Sequence, residues 1–154
     1  MSDKTKGNVL FAVHLLSLLL IIYIKIIRPC DIEYVKALYS DLPLASVVLW
    51  DMFNYVPFKF ITDPASYSSQ YWTAKVIFNL LLYFLPSFTF VDQPENGKAP
   101  SFIKHMLSIG VIALAIETVS WSLFCGAFYI DNFILNMIGA TAAFFISRKV
   151  IKYE

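Results

Sequence analysis

The chain has 154 residues, of which 58% are hydrophobic and only 15% charged, with a formal net charge of +1. An ordinary soluble domain carries about a quarter charged residues, and a mean hydropathy of +0.66 points to lipid as the solvent. A near-neutral chain has no electrostatic footprint for nucleic acid. Its two cysteines, Cys30 and Cys125, form no CxxC and no metal-ligand spacing, so no nucleic-acid partner, metal or cofactor is expected.

The first apolar segment, Asn8 to Ile27, is a nearly continuous run of Leu, Ile and Val that Pro29 stops. It exceeds the roughly 7–15 residues of a signal-peptide core, and no small-x-small cleavage site follows it. Ile27-Arg28-Pro29-Cys30 also lacks the small residues expected before a lipid-modified cysteine, so the run reads as a retained anchor. A mixed stretch from Arg28 to Thr73 follows. Within it, Asp31 to Tyr39 places Ile32, Val35, Leu38 and Tyr39 on one helical face, an interfacial pattern. Leu42 to Phe53 is apolar but too short to span, and reads as a surface or re-entrant helix. Asn54-Tyr55-Val56-Pro57-Phe58 is expected to turn. Three more apolar segments run from Ala74 to Val91, Phe102 to Phe124 and Asn132 to Ser147, the last being the shortest. A turn signal, Gln93 to Lys98, lies in the loop Asp92 to Pro100. A hydrocarbon core of about 30 Å needs about 17–25 helical residues. The pattern predicts a single all-α integral membrane domain, residues 1–154. Its form is a bundle of four transmembrane helices with an interfacial or re-entrant helical segment in the first outer loop.

Lysine and arginine bias sets the orientation. Lys4 and Lys6 precede the first segment, Lys98 and Lys104 flank the turn between the second and third, and Arg148, Lys149 and Lys152 follow the fourth. With four crossings these groups share one side, expected to be the cytoplasm, and both termini lie there. Trp50, Trp72 and Trp121 fall near the opposite boundary, as an aromatic belt does.

Ionisable and amide side chains are costly in lipid and face the bundle interior. Asn79 opens the inward-running second segment, Glu117 closes the outward-running third, and Asp131 and Asn136 open the fourth. Alternating chain direction therefore places all four in the outer half of the bilayer. Gly110, Ala113, Glu117 and Ser120 share one face of the third segment; Asn132, Asn136, Gly139, Ala140 and Ala143 share one face of the fourth. These small faces are expected to pack together and bring Glu117 near Asn136. Each polar residue also has a plain packing role. Glu117 has Lys25 at similar depth, Asn79 and Asn136 can bond between helices, Asp131 can cap the fourth helix, and His14 reads as a satisfied packing residue. Pro86 is expected to kink the second segment. Cys30 and Cys125 both fall at the outer boundary; free thiols are the reading adopted, with a disulfide as the alternative in an oxidising exterior.

Four blocks then stand out together: Asn54-Tyr55-Val56-Pro57-Phe58-Lys59, Asn79 to Pro86, Ala115-Ile116-Glu117, and Asp131 to Ala140. In order and interval they resemble the motifs of the VanZ-like family, from about Asn54 to the C-terminus, and the Asp131 to Ala140 block is the most specific. The family's arginine shortly before the aspartate is replaced here by Gly126 or Ala127, and its glutamine three residues after the glutamate by Ser120. The resemblance implies four helices in a bacterial plasma membrane; the founding member is associated with low-level resistance to the glycopeptide teicoplanin. The expected function is that of a non-enzymatic cell-envelope factor among membrane lipids. It would bind a lipid-linked or amphiphilic ligand at the outer leaflet through Lys59, Asn79, Glu117, Asp131 and Asn136. The alternative is a membrane-embedded enzyme acting on a lipid or lipid-linked precursor, with Glu117 and Asp131 as general acid and base. No Ser-His-Asp order, HExxH or glycine-rich phosphate loop adds to that alternative. A chain without an internal repeat also argues against a transporter.

Overall fold

The computed structural model describes residues 3–62, 69–90 and 101–150. Among them the architecture is all-α apart from one pair of two-residue strands. Three helical stretches are long and apolar enough to cross a membrane: Gly7–Ile27, Phe102–Ser122 and Ile130–Val150.

Helix α1 (Asp3–Ile22) passes directly into a π-helical turn, Tyr23–Ile27, which the Arg28 N–H closes on the Tyr23 carbonyl at 2.8 Å. Leu15, Leu16, Leu19 and Leu20 are exposed while Ser17 and Ile21 are buried, so a broad apolar face of α1 is left for lipid. Two aspartates then start two short helices. Asp31 accepts from the Glu33 and Tyr34 amides at 3.0 and 3.1 Å and opens α2 (Ile32–Ser40); Asp41 accepts from the Leu44 amide at 3.2 Å and opens α3 (Leu42–Asp51). A side-chain oxygen on these otherwise orphaned amides is what starts a helix in so short a run. Leu38, Ala45 and Phe124 bury one side of this hairpin. Tyr39 Oη donates to the Ser122 carbonyl at 3.2 Å, and Trp121 Nε1 donates to the Leu49 carbonyl at 2.8 Å. After α3, strand β1 (Phe53–Asn54) pairs in parallel with β2 (Phe128–Tyr129), and the Phe53 ring stacks on Phe128. A one-turn helix, α4 (Lys59–Thr62), follows.

The second apolar segment is not the continuous helix expected over Ala74 to Val91. It is two helices, α5 (Ser69–Leu82) and α6 (Phe84–Phe90), interrupted at Tyr83. Pro86 accounts for the break, because it has no N–H to give the Leu82 carbonyl and its ring crowds that group. The ladder resumes with the Ser87 N–H on the Tyr83 carbonyl at 3.1 Å. Val91 and the expected turn at Asp92 to Pro100 lie outside the described residues. Helix α7 (Phe102–Ser122) follows the third segment closely. Helix α8 (Ile130–Val150) equals α7 in length rather than being the shortest. Arg148 and Lys149 in its last turn suit the negative end of the helix dipole and extend it past Ser147.

Helix α8 packs along α5, α6 and α7; α1 packs along α6, and its π-turn meets α7. Ile21, Tyr83, Ile109, Ala113, Ile116 and Ala140 form the shared core. The expected pairing of small faces between the third and fourth segments holds in part: α7 packs along α8, and Ala113 and Ala140 share one buried cluster, but Gly139 meets the second segment instead. Gly139 abuts α5, where an added Cβ would run into the Leu80 carbonyl, whereas Gly110 of α7 meets only the flexible end of Met137 and the edge of Phe133. At Gly139 the backbone of α8 lies close against that of the second segment.

Candidate functional site

At one end of the bundle the π-turn, α5, the end of α7 and the start of α8 converge on a cavity of about 240 Å³. Its polar wall is formed by Lys25, Lys75, Asn79, Glu117, Ser120 and Asn132, with Tyr129 beside them. Glu117 is only 2% exposed, and Lys25 Nζ donates to its Oε1 at 2.6 Å. A carboxylate at such a position needs a partner, since an isolated buried charge is far costlier than a paired one. Lys25 Nζ also reaches Asn79 Oδ1 at 3.5 Å. The Asn79 amide group donates to the Lys75 carbonyl at 2.8 Å and to Asn132 Oδ1 at 3.4 Å. Ser120 Oγ donates to the Lys25 carbonyl at 2.7 Å, fixing the π-turn on α7. Lys75 Nζ lies 4.0 Å from the centre of the Tyr129 ring, a cation–π contact.

Of the five residues expected to bind a ligand, the structure brings Asn79 and Glu117 together, bridged by Lys25. Asp131 is buried, but it does not line the cavity and it is the second residue of α8 rather than its cap. Its Oδ1 accepts from the Phe58 N–H at 2.6 Å. That bond holds a residue whose φ of 61° is left-handed, a conformation that disfavours a bulky side chain. Lys59 follows this turn and is also outside the cavity wall. Asn136 sits one turn past Asn132, fully buried, and neither its amide oxygen nor its nitrogen has a hydrogen-bond partner among the described residues. Glu117 and Asn136, expected near each other, share no hydrogen bond, and Glu117 alone of the two lines the cavity. Glu117 is engaged by Lys25, and Asp131 accepts from the Phe58 N–H; of the two carboxylates, Glu117 lines the cavity.

Cys30 and Cys125 are joined in a disulfide, which corrects the reading of free thiols. Helix α7 ends in a Schellman turn. Phe124 takes φ 56°, its N–H bonds the Trp121 carbonyl, and the Cys125 N–H bonds the Ser120 carbonyl at 2.9 Å. This reversal sets Cys125 against Cys30, just past Pro29, with the two Cα atoms 4.2 Å apart. Pro29, Cys125, Gly126 and Ala127 complete the cavity wall.

Farther along the bundle lies a second polar group. Ser87 Oγ donates to the Ala140 carbonyl at 2.8 Å and lies 2.7 Å from His105 Nε2. A hydroxyl has one proton, so the histidine nitrogen is the donor in that contact, and the serine is not activated as a nucleophile. His14 Nδ1 lies 3.0 Å from the Pro86 carbonyl, which only accepts, so His14 donates there. Both histidines tie helices together, in keeping with the packing role read for His14. The sequence reading missed Lys75 and Asn132 as wall residues. Each stands four residues before an asparagine already singled out, Asn79 and Asn136, and hence on the same helical face.

No family model, curated protein or solved structure matches the chain.

Proposed function

We propose that the chain is a four-span, VanZ-like protein of the bacterial cell envelope that receives the headgroup of a lipid-linked or amphiphilic ligand in this cavity from the outer leaflet. The observation that carries the reading is a polar cavity built around the Lys25–Glu117 pair, at one end of a bundle whose outward faces are apolar. At about 1.5 Å per residue, Ser69 to Phe90 rises about 33 Å, enough for the broken second segment to cross a bilayer with the other three. Arg148 and Lys149 mark the opposite end of α8 from the cavity, which supports a cytoplasmic location for that end and the termini. The disulfide supports the same orientation, because such bonds persist on the oxidising side of a bacterial membrane. Exposed Ile32, Leu42, Val47, Trp50 and Tyr55 suit an α2–α3 hairpin lying in the outer interface. The resemblance adds a link to glycopeptide sensitivity as part of the same proposal.

The test is native mass spectrometry of protein purified with its co-extracted lipids, comparing wild type with Asn132→Leu, which places a branched apolar side chain in the wall. Wild type should keep a bound amphiphile that the variant loses while its disulfide still forms. Equal retention by both proteins, or none by either, would overturn the reading.

A further inference from the structure

We propose that Tyr83 and Asn136 hold internal water one helical turn below the cavity, in the middle of the bundle. The proposal concerns the interior beneath the cavity and does not depend on what the cavity receives.

The first argument is register. The Asn79 amide donates to Asn132 Oδ1 at 3.4 Å, and Ser87 Oγ donates to the Ala140 carbonyl at 2.8 Å. Both bonds join residues 53 positions apart, and they lie on either side of the break at Tyr83. The second segment and α8 therefore run in the same direction in one register, which the break does not shift. Asn79, Tyr83 and Ser87 follow one another at intervals of four, as do Asn132, Asn136 and Ala140, and each set shares a helical face. The same offset carried to the midpoint sets Tyr83 level with Asn136. Four helical residues rise about 6 Å. This level is one such step below Asn79 and Asn132, which line the cavity.

The second argument is hydrogen-bond accounting. The levels above and below are bonded, and the middle one is not. Tyr83 and Asn136 are both fully buried. The Tyr83 hydroxyl and both ends of the Asn136 amide have no hydrogen-bond partner among the described residues. Turning the amide over exchanges one unbonded atom for the other and relieves neither. Buried polar groups are nearly always paired, with protein or with ordered water, and lipid offers them no alternative. A direct bond between the two side chains would serve one end of the amide and leave the other. Water both donates and accepts; it needs roughly two to four polar partners and about one probe sphere of space. The hydroxyl and the two ends of the amide supply the partners, and Ala113 and Ala140, which pack in one cluster with Tyr83, are small. Pro86 also withholds an N–H from the Leu82 carbonyl, and ordered water is one of the partners that meet backbone groups freed in this way.

The experiment is millisecond radiolytic labelling of the full chain in neutral detergent, read residue by residue by mass spectrometry. Hydroxyl radicals made from bound water oxidise the side chains that it touches. Phe144, equally buried on α8, is the dry reference. In wild type, Tyr83 should be oxidised at least about tenfold more than Phe144, beyond the intrinsic difference between the two rings. Asn136→Leu replaces the amide with an apolar side chain of similar size. It should lower the oxidation of Tyr83 at least about fivefold while the disulfide still forms. Oxidation of Tyr83 no greater than that of Phe144 in wild type would overturn the proposal, and this comparison needs no variant to fold. Unchanged oxidation of Tyr83 in a folded Asn136→Leu would overturn it as well, because Asn136 would then hold none of the water. Thermal midpoints of Tyr83→Phe, Asn136→Leu and the double variant give a second reading. Coupled midpoints together with oxidation of Tyr83 support shared water; coupled midpoints without oxidation would mean a direct bond in its place.

Discussion

Gly139 and Gly110 sit on facing helices, yet one is indispensable to the packing and the other is not. At Gly139 a methyl group would meet backbone, the Leu80 carbonyl, which cannot swing aside. At Gly110 it would meet Met137 Cε at 3.5 Å, ordinary van der Waals contact with an adaptable side chain. Helices in lipid are held by close packing rather than by a hydrophobic drive, so the loss of backbone approach is felt directly. Gly139→Ala should destabilise the bundle by about 1–3 kcal/mol, with Gly110→Ala close to wild type, both read from unfolding in mixed micelles. Equal midpoints for the two variants would show that α8 does not rest on Leu80. Asn136 and Glu117 share no hydrogen bond, although their polar character on apolar helices was legible in the sequence. Helical spacing shows which residues share a face; it does not show which neighbour that face meets.

At the scale of elements, the break in the second segment and the loop around Phe58 follow from single residues. Pro86 interrupts the ladder at Tyr83, and Asp131 fixes a left-handed phenylalanine more than 70 positions away. A carboxylate bond to a backbone amide is charge-assisted and stronger than a neutral one. Asp131→Ala should therefore loosen β1 and the turn after it. Hydrogen–deuterium exchange at Phe58 should rise by at least about tenfold, with the centre of α7 unchanged. Unaltered protection at Phe58 would mean that the turn is held by other groups. The apolar runs, the Pro86 disturbance and the two short helices before β1 were legible in the sequence, because each is encoded within one turn or one helix. Which of the residues on those faces line one cavity, whether the two cysteines close on each other, and the true partner of Gly139 were not. Each depends on the rotation of one helix against another, which the chain encodes only through packing over long separations.

The whole molecule is organised around the end that carries the cavity. There the π-turn, the Schellman turn of α7, the strand pair and the α2–α3 hairpin meet, while the other end of the bundle carries Lys104, Arg148 and Lys149. Cys30 and Cys125 are 95 positions apart. A cross-link over so long a loop typically stabilises by about 2–4 kcal/mol, chiefly through the unfolded chain. It also has a consequence of connectivity. Residues 30–125 form a covalent ring, and α1 and α8 leave it as two tails. Hydrolysis of any one peptide bond in that ring opens it without dividing the molecule. A protease site inserted between Tyr55 and Val56, both exposed, and cut in the purified protein should leave one species near 17.6 kDa on a non-reducing gel and two fragments after reduction. Two fragments before reduction would mean that the ring is not closed. Closed, it makes the cavity end tolerant of nicking: a protease can sever the chain between the two cysteines and still not release the helix that carries Lys25 from the one that carries Glu117.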